Sequence, residues 1–74
     1  MTVMDTGAVR VHLNGEPREL AGPVTLDTAV ALLTAAPSGV AAAVNETVVP
    51  RGAWARTRLA DGDRVEVLTA VQGG

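Results

Sequence analysis

The chain contains no cysteine, no lysine, no phenylalanine and no tyrosine. Without cysteine there is no disulfide stapling, no thiolate catalysis and no zinc site of the finger type, so any sulfur chemistry must use another atom of the chain. Without lysine there is no side-chain amine to receive an acyl group, and in acyl transfer the chain can act only as the donor. The single histidine, His12, leaves no ligand cluster and no obvious general base. Six basic residues, all arginine, are scattered along a chain of net charge −2, which argues against nucleic acid or an anionic membrane as partner. No run approaches the roughly 18 apolar residues of a membrane span, and residues 1–7 lack the apolar core of a signal peptide. A cytoplasmic protein is expected.

What is present suits one small domain. A chain of 74 residues buries only about 60% of the surface that its unfolded form exposes. With 47% apolar and 19% charged residues it reads as globular. Trp54 is the only large ring, so Val, Leu and Ala must fill the interior. We expect a loose leader over residues 1–7, a domain over residues 8–70 and a flexible tail over residues 71–74.

Period-two alternation places Val9, Val11 and Leu13 on one face of a first strand and Arg10 and His12 on the other. Asn14-Gly15 then predicts a tight hairpin turn, because both residue types accept positive φ. A second strand follows from Glu16 to Ala21, with Pro17 near its start or on an edge. Thr25 is the expected N-cap of a helix, with Asp27 in its first turn. Leu26, Ala29, Val30 and Leu33 form one apolar stripe, on a helix of about eleven residues that would be marginal alone and is stopped by Pro37 and Gly39. A short strand over Val40–Val44, a turn at Asn45-Glu46 and a very short strand up to Pro50 come next. The stretch from Arg51 to Leu59 predicts a turn of helix and a loop covering one end of the core, with Trp54 as plug and its indole N–H on a carbonyl. Asp61-Gly62-Asp63 is a turn into the last strand, which turns Val65 and Val67 inward and Leu68 outward, with Ala70 beside it.

The tail carries the candidate chemistry. Gly73 and Gly74 have no Cβ and can lie in a groove too narrow for other residues. Together with Val71 and Gln72 they reach roughly 13 Å beyond the last anchored strand, enough to insert the Gly74 carboxylate into another protein. Leu68 and Ala70, an apolar patch leading into that tail, are candidates for docking a partner. Trp54 is a further candidate, since tryptophan is common in interface hot spots.

A hairpin, one helix and further strands in this order give an α+β fold of β-grasp type, a mixed sheet of four or five strands wrapped on one helix. A ferredoxin-like fold would need a second helix. Asn14-Gly15-Glu16, Val49-Pro50-Arg51 followed by Trp54, Asp61-Gly62-Asp63 and the Gly73-Gly74 end, in this order, resemble the ThiS family, the ubiquitin-like sulfur carriers of thiamine-thiazole biosynthesis. The resemblance implies a protein substrate rather than an enzyme. An adenylyltransferase resembling ubiquitin-activating enzymes would use ATP and magnesium to adenylate Gly74. A persulfide donor such as a cysteine desulfurase would convert the adenylate to a thiocarboxylate, and thiazole synthase would take the sulfur. The chain carries no P-loop signature, so the nucleotide belongs to the partner. Asn14, Gly15, Asp61 and Gly62 read as turn-makers. The tail alone fits two other readings, a carrier like the small subunit of molybdopterin synthase and a ubiquitin-like modifier conjugated through Gly74.

Overall fold

Strong alternation at both ends of the chain builds the sheet. A computed structural model describes residues 7–34 and 39–69. Strand β1, Ala8–Leu13, turns at Asn14 and Gly15 into β2, Glu16–Ala21. Helix α1 spans Leu26–Leu33, followed by β3, Val40–Val44, β4, Thr47–Val49, a 3-10 turn over Arg51–Arg56 and β5, Arg64–Thr69. The five strands lie in the order β2-β1-β5-β3-β4. β5 is central, parallel to β1 and antiparallel to β3, with Leu13 opposite Val65 and Ala42 opposite Val67. This is the β-grasp arrangement.

Both hairpins turn through two residues of positive φ. Asn14 (51°) and Gly15 (87°) join β1 to β2, and Asn45 (51°) and Glu46 (73°) join β3 to β4, the conformation that matches the twist of paired strands. Asn accepts it readily, whereas Glu46 does so at a steric cost.

The core lies between the inner sheet face and α1. Val11 and Leu13 of β1, Ala42 of β3, and Val65 and Val67 of β5 meet Leu26, Ala29 and Val30 of the helix. Trp54 and Leu59 close one end. The segment carrying them is tied down by backbone bonds from Leu26 N–H to Thr57 O (2.8 Å) and from Leu59 N–H to Val24 O (2.9 Å), so the covering loop is fixed in place.

Two helix details differ from expectation. Thr25 holds the N-cap position, and its carbonyl accepts from Thr28 and Ala29 at 3.1 and 3.2 Å. Its side chain makes no cap bond, however. The hydroxyl is engaged with the Asp27 carboxylate, and that carboxylate takes the Thr28 N–H at 2.9 Å, as the stronger, charged acceptor. The helix also stops at Leu33, short of Pro37. Thr34 is already extended, with φ −151° and ψ 143°, and its branched β-carbon favours that region. Residues 35–38 lie outside the described residues, as do the leader's residues 1–6 and the tail. Gly7, expected to end a loose leader, is held: its carbonyl accepts the Gly22 N–H at 2.7 Å.

Candidate functional site

The last described strand is the central one of the sheet. β5 is paired on both flanks, to β1 and to β3, so the segment leading into the tail starts from the best-supported strand of the sheet. Gly73 and Gly74, with Val71, Gln72 and Ala70, lie outside the described residues, and their sequence-based roles rest on the residue types alone.

Of the three docking candidates, Leu68 is described and exposed, at 65%. Strand parity turns it outward, away from α1, and register sets Ala41 of β3 directly beside it. One step back along β5, Glu66 stands beside Ala43, which stands beside Val48 of β4. Val48 is 69% exposed. The outer face of β5, β3 and β4 is therefore apolar at Leu68, Ala41 and Val48, with Glu66 on its β1 side. Trp54 is elsewhere. It is only 4% exposed, belongs to the core cluster, and donates from Nε1 to the Val49 carbonyl at 2.9 Å. The Arg51 guanidinium lies 5.9 Å from the ring centroid, close enough for a cation–π contact. Its ring is a core plug and offers no docking surface.

The turn residues do more than turn. Asp61 Oδ1 accepts the Arg10 N–H at 2.8 Å, and the Gly62 N–H returns a bond to the Arg10 carbonyl at 2.8 Å. Asn45 Oδ1 accepts from Arg64 N–H at 2.9 Å, while its Nδ2 donates to Asp63 at 3.0 Å. Asn14 grips Val67 in the same manner from the other flank. These side-chain bonds were not foreseen from sequence. The signal that could have found them is an asparagine at each of two turns flanking one strand, where aspartate or glycine would have made the turn equally well.

A shallow hollow of about 390 Å³ lies on the outer face, lined by Ala8, Arg10, His12, Glu19, Asp61 and Gly62. Arg10 and Glu19 already pair across it at 3.2 Å. Because β1 and β5 run parallel with His12 opposite Arg64, the hollow sits by the start of β5, away from the end that leads to the tail. Among the described residues, no three His, Asp or Glu side chains are placed to hold a metal ion, and no helix is long and apolar enough to cross a membrane.

The ThiS family matches residues 11–74. A crystal structure of the thiamine biosynthesis protein ThiS from Geobacter metallireducens superposes with a TM-score of 0.72 at 29% identity, covering 89% of this chain and 100% of that one. The sulfur carrier protein ThiS of Escherichia coli is 27% identical over 89% of this chain and 100% of its own length. A protein of Magnetococcus marinus named thiazole synthase is 36% identical over 89% of this chain, which spans only 20% of that relative's length.

Proposed function

The chain belongs to the ThiS family, the sulfur carriers of thiamine biosynthesis, and from that premise we propose that it carries sulfur as a thiocarboxylate on Gly74. Proteins of this kind are small carriers rather than catalysts. A carboxylate is a stabilised anion with a poor leaving group, so the sequence of events begins in a partner. An adenylyltransferase using ATP and magnesium joins the Gly74 carboxylate to AMP and releases pyrophosphate. A persulfide, supplied by a cysteine desulfurase, attacks the acyl carbon; AMP leaves and an acyl disulfide remains. A second thiol then attacks the donor's sulfur, forming a disulfide with it and freeing the Gly74 thiocarboxylate. That sulfur is the nucleophile thiazole synthase consumes.

In this scheme Gly73 and Gly74 thread the narrow part of the partner's groove, Val71 and Gln72 supply reach, and Leu68 with Ala70 rests on the partner's surface. The absence of cysteine and lysine keeps the activated end from being captured by the carrier's own side chains. The observation that carries the reading is the family match extending to residue 74, so that it takes in the glycine pair. The relative named thiazole synthase, one fifth of which this chain matches, supports that enzyme as the acceptor.

The test is the intact mass of the chain after incubation with such an adenylyltransferase, ATP, magnesium and a persulfide donor. One oxygen exchanged for one sulfur, localised to Gly74 by fragmentation, is expected. No mass change in the complete mixture would overturn the proposal. Stable adducts of higher mass that survive reducing agent would favour a protein modifier instead.

A further inference from the structure

Along β1 and β5 the parallel ladder runs from His12, whose N–H donates to the Asp63 carbonyl at 3.0 Å, to Asn14, whose N–H donates to the Val65 carbonyl at 2.8 Å. The next β5 residue facing β1 is Val67, and there the Asn14 side chain takes the place of backbone. Its Oδ1 accepts the Val67 N–H at 2.8 Å and its Nδ2 donates to the Val67 carbonyl at 3.3 Å. A side-chain amide carries the same donor and acceptor as a peptide group, so one residue closes both backbone groups of another. Val67 is 8% exposed, and backbone groups at such a position need partners.

The turn does not require this amide, because glycine adopts the same positive φ without steric cost. What the amide adds is a fixed end point. On the β3 flank, pairing continues to Thr69 opposite Val40. On the β1 flank the strand pairing ends at Val65, since the chain turns back at Gly15 into β2, and the Asn14 side chain extends the hold to Val67.

We propose that Asn14 is a positioning residue for the tail: by fastening Val67 it sets the last point at which β5 is held from both sides, and so the direction in which the reacting end is presented. The proposal rests on the reading of Gly74 as the activated carboxylate. A loosened base must be ordered again each time the tail enters a partner, and ordering one backbone residue corresponds to a factor of about ten in rate.

Asn14→Gly separates the grip from the turn, since it keeps the hairpin and removes the amide. Residue-resolved hydrogen exchange of the full chain should show the Val67 amide exchanging at least about tenfold faster, with Val65 and Val11 unchanged. In adenylation assays followed by ATP–pyrophosphate exchange, kcat should fall roughly tenfold while KM, set by the docking face, stays. A loss of folded protein alone would reduce active concentration and leave the tail amides of the folded fraction untouched. Asn14→Asp is the second variant: it also tolerates positive φ and keeps an acceptor for the Val67 N–H but cannot donate to the Val67 carbonyl, so its Val67 exchange should be slower than in Asn14→Gly and its kcat closer to wild type. Equal kcat for Asn14→Gly and wild type, or unchanged Val67 exchange in Asn14→Gly, overturns the role of Asn14 and leaves the carrier reading standing. Absence of ATP–pyrophosphate exchange with the wild-type chain overturns both.

Discussion

Glu46 sits at φ 73° in the β3–β4 turn, where a side chain costs roughly 1–2 kcal/mol. Its compensation is slight, a contact with Arg64 at 3.7 Å between groups that are both largely exposed, and such pairs are worth about 0–1 kcal/mol. Glu46→Gly should therefore stabilise the protein by roughly 0.5–1 kcal/mol, less than the strain removed because glycine gains freedom in the unfolded chain. A denaturant midpoint that moves down would contradict this account of the turn. At Gly22 the direction reverses. A Cβ there would run into the Gly7 carbonyl and lie 2.9 Å from Val9 Cγ2, and the Gly7 contact is backbone that cannot swing aside. Gly22→Ala should cost about 1–3 kcal/mol, seen as a melting temperature lower by several degrees. Trp54 and Asn14 mark the limits of residue-level reading. The sequence left Trp54 between core plug and docking anchor, and its burial at 4% with the indole N–H on the Val49 carbonyl decides for the plug. The amide of Asn14 was not legible, because its partner Val67 lies 53 positions away in sequence and only the parallel pairing brings them together.

At the scale of elements, the strands were legible where one face is buried and the other wet. Val9-Val11-Leu13 and Val65-Val67 alternate, and period two leaves no other choice of face. β3 is weaker evidence of itself, since its three alanines suit a helix equally well; its strand conformation comes from pairing on both sides, with β4 and with β5. The helix end was misjudged for a related reason. Proline is an absolute stop, whereas the extended preference of Thr34 is a local bias that took effect first. The same parity that buries Val65 and Val67 exposes Leu68, and this gives the docking reading a sharp test. Leu68→Asp should leave stability within about 0.5 kcal/mol of wild type, as surface changes usually do. Calorimetric titration against thiazole synthase should show affinity reduced at least about tenfold, the scale of a hot-spot loss. Leu32→Asp is the control. That leucine is 51% exposed on α1, on the other side of the sheet, and its replacement should leave binding unchanged. Equal effects of the two substitutions would mean that the outer face of β5 is not the docking surface.

For the whole molecule, the division of labour between sheet and tail has a consequence that can be measured. Among the described residues the buried core runs from Val11 to Val67, and the proposed scheme gives residues 71–74 reach and chemistry rather than packing. Folding and reactivity are then separable by deletion. A chain ending at Gln72 should unfold at the same denaturant concentration as the full chain, within about 0.5 kcal/mol, and should take up no sulfur, since its terminal carboxylate is two residues short. It should still engage thiazole synthase through the outer sheet face, because the docking and reacting parts are linked but distinct, and losing one of two linked contacts weakens binding without abolishing it. The shortened chain should therefore inhibit sulfur transfer from the loaded full-length chain, and raising the loaded carrier should relieve the inhibition. If the shortened chain neither binds nor inhibits, the tail alone holds the complex together, and the apolar outer face of β5, β3 and β4 has no part in recognising thiazole synthase.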